Sequence, residues 1–194
     1  MVKIAVFASG PGTNFEEILK HIEDGSLPVQ CAILITDQAD AYAAQRAENH
    51  GIAHQYFNPK DYANKEEYEQ AILSVLKEKG VDLIVLSGYM RYIGQVLLEA
   101  YPNRIINIHP AYLPEFPGAH GIRDAYDARV SQTGVTVHYV DAGVDTGPII
   151  AQERVPIDPA WDLDTLEQHV HEKEYDLFWR VIKDVAKKIE EENA

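Results

Sequence analysis

Several things are scarce in this sequence. It has one cysteine, Cys31, in 194 residues, so an internal disulfide is excluded. Cys31 stands in an apolar run, which implies a buried structural thiol. No apolar stretch approaches the ~20 residues that a membrane-spanning helix requires. The opening segment, Met1-Val2-Lys3-Ile4-Ala5-Val6-Phe7, is too short in its apolar part for a signal peptide and runs straight into a glycine-rich turn. It reads as a first strand, and the expectation is a cytoplasmic protein without membrane contact. Positive charge is also in short supply: 17 Lys and Arg face 31 Asp and Glu, a formal net charge of −14. Nucleic-acid affinity rests largely on neutralising phosphates, so DNA or RNA is excluded as a bulk partner. Small anions remain open as ligands, because backbone amides bind phosphate without net positive charge.

What is present is a globular composition, 46% hydrophobic and 25% charged. Residues 2–8, 29–36 and 81–87 are short apolar runs bounded by turn residues, with a shorter extended piece at 54–57 and another at 104–109. Helical patterns separate them at 13–23, 39–50 and 65–79. That alternation is the pattern of buried parallel strands joined by helices. The expected fold is α/β, a doubly wound and mostly parallel sheet in residues 1–110. Prolines 110, 114 and 117 forbid regular structure over 111–118. Residues 134–141 and 147–156 read as neighbouring strands, with an antiparallel arrangement expected, and 163–192 as a long C-terminal helix with a solvated charged face. One domain over 1–194 is expected, its first half, 1–110, binding phosphate and its second, 111–194, carrying the catalytic loops.

Ser9-Gly10-Pro11-Gly12-Thr13-Asn14 follows the first strand and opens the first helix. Glycine allows the tight turn, and the helix start presents free amides to an anion. Three readings stay open here: a phosphate monoester site, a dinucleotide site, and a structural turn. The dinucleotide fingerprint is broken because Phe15 stands where a third glycine is needed, although Asp37 ends the next strand where a ribose-binding acid would sit. A P-loop lacks its Gly-Lys-Ser/Thr.

Asn107-Ile108-His109-Pro110 ends a strand. Alternation puts Asn107 and His109 on one face, at the carboxyl rim where open α/β sheets bind ligands. An amide donor beside an imidazole suits carbonyl chemistry, one stabilising an oxyanion and the other carrying a proton. A buried pair satisfied by backbone groups is the competing reading. Asp145 lies in a loop with two glycines and a proline, Asp141-Ala-Gly-Val-Asp145-Thr-Gly-Pro148. A carboxylate there would favour a charged His109 and fix its orientation; a turn aspartate bonding its own backbone is the alternative. Thr136 and His138 share a strand face, and His120 follows the irregular segment. None of these histidines has tight metal-ligand spacing, so no metal is expected. His169 and His171 in the last helix point apart and read as surface residues.

The ordered set Ser-Gly-x-Gly-Thr-Asn (9–14), Gly-Tyr-Met-Arg (88–91), Ile-Asn-Ile-His-Pro-Ala-Tyr-Leu-Pro-x-Phe-Pro-Gly (106–118), Thr-Gly-Val-Thr-Val-His (133–138) and Asp-x-Gly-Pro-Ile-Ile (145–150) covers nearly the whole chain. It resembles the phosphoribosylglycinamide formyltransferase family of 10-formyltetrahydrofolate-dependent enzymes. The resemblance implies a Rossmann-like fold and formyl transfer from 10-formyltetrahydrofolate, as co-substrate, to glycinamide ribonucleotide in purine biosynthesis. The alternative is a formyltetrahydrofolate hydrolase or another formyl-folate transferase. It also implies small-molecule substrates only, and a monomer or homodimer.

The same resemblance implies Asn107, His109 and Asp145 as the catalytic set. Gly10, Gly12, Thr13, Asn14, Pro110 and Glu174 would contact the ribonucleotide. Lys65, Leu86, Met90, Arg91, Tyr92, Ile93, Asn107, Val140, Ala142, Val144 and Asp145 would contact the folate, with His120, Thr136 and His138 in support. Lys65 stands where the family often has arginine. Tyr175 follows Glu174 where a histidine is usual, and Trp179 stands where a proline is expected.

Overall fold

A computed structural model describes residues 1–194. Strands β1 (Lys3–Phe7), β2 (Gln30–Thr36), β3 (His54–Tyr56), β4 (Leu83–Leu86), β5 (Ile105–His109), β6 (Gln132–Tyr139) and β7 (Ile149–Pro156) form one sheet in the order β3-β2-β1-β4-β5-β6-β7. The first five pair in parallel, while β5–β6 and β6–β7 pair antiparallel. Six helices accompany them: α1 (Thr13–Glu23), α2 (Tyr42–Asn49), α3 (Lys65–Glu78), α4 (Gln95–Ala100), α5 (Gly121–Asp127) and α6 (Leu163–Glu192). The expected α/β class, the antiparallel C-terminal strands and the long last helix are all present.

Short α4 and α5 have no counterpart in the sequence reading. With six and seven residues they hold too few turns to reveal a period. The start of α4 is held from outside, by the buried carboxylate of Glu69 in α3, which accepts from Gly94 N at 2.7 Å and from Leu97 N at 3.4 Å. At α6 the capping is local: Asp162 accepts from Thr165 N at 2.8 Å. That helix continues unbroken past Trp179, whose ring stacks on His21 of α1 at 4.1 Å.

Each face of the sheet has its own apolar layer. One cluster joins Ile4 and Val6 of β1 to α1 and the α6 stripe, with Phe15 fully buried in it. The other joins Ala5 and Phe7 to α3 and α4. The alternation of β1 between the two clusters follows from the pleat. Cys31 is buried, as expected, and desolvation pushes its thiol up to about 12. No helix is long and apolar enough to cross a membrane.

Helices α1 and α2 are tied together by charge. Both ring nitrogens of His50 meet carboxylates, Nδ1 pairing with Glu23 and Nε2 with Glu16 at 2.5 Å. The bond to Glu23, followed by that to Glu16, outweighs burial and raises the His50 pKa. Burial opposes ionisation of Glu16, but hydrogen bonds from His50 and Arg46 prevail and lower its pKa. A raised histidine stabilises the fold fully below its ordinary 6.5 and loses that contribution as pH rises through the folded value. A lowered glutamate stabilises above its ordinary 4.5 and loses that contribution as pH falls through the folded value. The cluster therefore contributes most between those two ordinary values. His50→Gln is expected to lower the melting temperature more at pH 6 than at pH 8.5. Equal losses at the two pH values would contradict this.

Candidate active site

The sheet order reverses between β1 and β4, where their carboxyl ends open a crevice. A cavity of about 370 Å³ occupies it. A smaller one of about 100 Å³ adjoins it and shares Tyr89, Arg91, Tyr92, Asn107 and Asp145 with it.

The glycine loop forms one end of the larger cavity. Gly12 has φ 73°, a left-handed conformation that glycine adopts without strain. The N–H groups of Gly12, Thr13 and Asn14 have no hydrogen-bond partner within the chain, and together they open helix α1. Asn14 Nδ2 donates to Glu174 Oε2 at 3.0 Å, while its Oδ1 is buried without a partner. Glu174 is buried although it is a carboxylate, because it falls in the apolar stripe of α6. Its other oxygen pairs with His171 Nδ1 at 2.6 Å, and that bond raises the His171 pKa despite burial. His171 thus lines the cavity, which corrects its reading as surface decoration. The informative neighbour is Glu174 at i+3, not His169 at i−2. His169 is the outward member of the pair and stacks on Trp161 at 4.0 Å.

The other end is built by β5 and β6. Antiparallel pairing sets Asn107 opposite His138 and His109 opposite Thr136. Ile106 and Ile108 turn to the other face and join the α6 cluster. His138 Nδ1 lies 2.8 Å from the carbonyl of Tyr139, which can only accept, so Nδ1 carries a proton. Nε2 is then free to accept from Asn107 Nδ2 at 3.3 Å. By the same logic His109 Nε2–H donates to the Phe116 carbonyl at 2.8 Å. This leaves Nδ1 of His109 as the nitrogen that can gain or lose a proton. It faces Asp145 Oδ2 at 3.6 Å, and Oδ1 of the same carboxylate lies 3.7 Å from His138 Nε2.

Asp145 is held in place by the loops around it. Its φ is 53°, a strained conformation for a non-glycine residue that commonly marks a functional position. Oδ2 accepts from Gly118 N at 2.8 Å, so the irregular segment after β5 fixes the acid. That segment is stapled in turn. Thr136 Oγ1 donates to Ala111 O at 2.7 Å and accepts from Leu113 N at 3.1 Å, and Gln152 Nε2 donates to Leu113 O at 2.8 Å. Gln152 has no distinguishing mark in the sequence; only the β6–β7 register brings it there.

The larger cavity is lined by Gly10, Gly12, Thr13, Asn14, Met90, Arg91, Tyr92, Asn107, His109, Pro110, Val144, Asp145 and Glu174. Leu86, Ile93, His138, Val140 and Ala142 line the smaller one. Three of the expected residues stand elsewhere. Lys65 lies outside both cavities, with its Cε beside Gly94. His120 is an exposed residue just before α5. Thr136 is fully buried behind the site, where its hydroxyl bonds Ala111 O, Leu113 N and Gln152 Nε2. The acid Asp37, placed at the end of β2 where a dinucleotide ribose would sit, is buried and accepts from Ser9 Oγ at 2.6 Å. It is committed to the fold of the loop.

Chemically, one end of this crevice offers free amides and a buried carboxylate, suited to a phosphorylated sugar. The other offers amide, imidazole and carboxylate groups in mutual contact. Residues 2–182 match the Formyl transferase family. Phosphoribosylglycinamide formyltransferase of Bacillus subtilis is 48% identical over 183 residues, 94% of either chain. That of Haemophilus influenzae is 38% identical, over 94% of this chain and 86% of its own. The crystal structure of glycinamide ribonucleotide transformylase 1 from Geobacillus kaustophilus superposes with a TM-score of 0.93 at 48% identity, covering 95% of this chain and 98% of that one. On this match of sequence and fold, the chain belongs to the phosphoribosylglycinamide formyltransferase family.

Proposed function

We infer that the chain transfers the formyl group of 10-formyltetrahydrofolate to the amine of 5'-phosphoribosylglycinamide, a step of purine (IMP) biosynthesis in the cytoplasm. The observation that carries this reading is a single cavity with an amide-lined anion end and an Asn107–His109–Asp145 end. The N–H groups of Gly12, Thr13 and Asn14 take the phosphate at the helix start. Glu174 and the unpaired Oδ1 of Asn14 accept from ribose hydroxyls. Exposed Met90 and Tyr92 cover the folate ring from one side and Val144 from the other.

The free amine attacks the formyl carbon borne by N10 of the folate, forming a C–N bond and a tetrahedral oxyanion. Asn107 Nδ2 and protonated Nδ1 of His109 donate to that oxygen. The carboxylate of Asp145, 3.6 Å from Nδ1, stabilises the imidazolium. The attacking nitrogen gives up a proton through Asp145 or a water beside it. The C–N10 bond then breaks as N10 takes up a proton, leaving tetrahydrofolate. No step requires a metal.

The test is an assay with both substrates, with and without a chelator, following folate absorbance. The expected signal depends on the ribonucleotide and survives chelation. A signal without ribonucleotide would mean hydrolysis, and loss on chelation would mean metal participation.

A further inference from the structure

The glycine loop owes its shape to helix α2, which lies outside the cavity. Ala43 N donates to Gly10 O at 3.2 Å. Arg46 Nε donates to Pro11 O at 2.7 Å. Gly12 sits so close to α2 that a Cβ on it would lie 2.8 Å from the Cβ of Ala43. The guanidinium is itself pinned. Its Nη1 donates to Glu16 Oε1 at 3.2 Å, and its Cζ lies 4.9 Å over the Tyr42 ring. Glu16 in turn is engaged by His50, which also pairs with Glu23.

The Pro11–Gly12 peptide is trans, since the one cis bond of the chain is Leu113–Pro114. In a trans peptide the C=O and N–H point in opposite directions. Anchoring the Pro11 carbonyl on Arg46 therefore turns the Gly12 N–H away from α2. Gly12 lines the cavity, Arg46 does not, and that N–H has no partner in the chain.

We propose that Arg46 is a positioning residue for the phosphate subsite: its bond to Pro11 O aims the Gly12 N–H at the ribonucleotide phosphate. The proposal rests on the reading of the glycine loop as that subsite. Arg46 supplies the direction of a donor, and its own charge is already matched by Glu16.

The test compares Arg46→Met, which keeps an unbranched stem and loses the donor, with Arg46→Lys, whose ammonium still reaches a single acceptor. Arg46→Met is expected to raise KM for the ribonucleotide roughly ten-fold or more, the effect of one hydrogen bond to a charged group. KM for the formyl folate should stay unchanged and kcat within about two-fold, because the Asn107 end is untouched. Arg46→Lys should fall between Arg46→Met and the parent. With the dephosphorylated ribonucleoside as acceptor, the parent and Arg46→Met should become equal. A purely structural tie would lower the melting temperature and move both KM values together, and that would overturn the proposal.

A second readout does not depend on formyl transfer. In a titration with inorganic phosphate, the Gly12 amide resonance should shift in the parent and stay still in Arg46→Met. Equal shifts in the two proteins would overturn the positioning role while leaving the phosphate subsite intact. No shift in either would overturn the subsite together with it.

Discussion

His109→Ala is expected to lower kcat by roughly 10²–10⁴, the range for general acid–base and oxyanion groups. Asp145→Asn should fall in the same range and Asn107→Ala near it. The geometry gives a reason for each. His109 Nε2 is committed to the Phe116 carbonyl, so the reactive proton belongs to Nδ1, which faces Asp145. Removing the ring removes that proton. Asp145→Asn leaves an acceptor for Gly118 N but removes the negative charge beside His109. In the proposed mechanism the three residues serve one oxyanion and one proton, so their losses should not add; the double variant His109→Ala/Asp145→Asn should be little worse than the more impaired single variant. Each variant should bind the ribonucleotide nearly as the parent does, since the amide end of the cavity is untouched. Near-parental kcat in any of the three would remove that residue from the mechanism.

Phe15→Ala is expected to destabilise the fold by about 3–5 kcal/mol, the usual cost of emptying a large buried aromatic site. Phe15 is fully buried in the cluster between β1, α1 and α6. In a dinucleotide-binding loop a glycine at this position brings helix and strand close together. Here the phenyl ring fills that space. The loss should appear in the denaturation midpoint, with some weakening of ribonucleotide affinity because α1 carries the loop. A loss below about 1 kcal/mol would mean that the ring is not a core element.

The legible parts of this protein are those governed by a short period. The alternation of residues 104–109 puts Asn107 and His109 on one face, and the alternation of 134–141 does the same for Thr136 and His138. The structure sets the two faces directly opposite each other. The apolar stripe of α6, Leu166, Val170, Leu177, Phe178 and Val181, is equally legible, and Glu174 falls within it. A carboxylate on a buried stripe must find polar partners, and Glu174 finds Asn14 and His171 at the cavity. Asp145 is of another kind. Its role depends on two loops meeting, its own and that of Gly118, and on a backbone conformation that no local pattern announces.

The misplacements have physical reasons as well. His171 reads as outward when set against His169 two positions back, whereas its partner lies one turn on at Glu174. Thr136 shares a face with His138, yet its hydroxyl is spent on Ala111 and Leu113 behind the site. Arg46 gave no signal at all, since a lone arginine on an amphipathic helix reads as solvated. Its bond to Pro11 O spans 35 residues of chain and exists only because α2 folds back on the glycine loop.

The proposed function requires that the two ends of one cavity serve one transfer. It is tested most directly with 10-formyltetrahydrofolate labelled with carbon-13 in the formyl group, incubated with the ribonucleotide and the protein and followed by NMR. The label is expected to appear as a formamide on the ribonucleotide, one for each tetrahydrofolate formed, and His109→Ala is expected to slow its appearance without changing its destination. Label accumulating as free formate, or remaining on the folate, would contradict it.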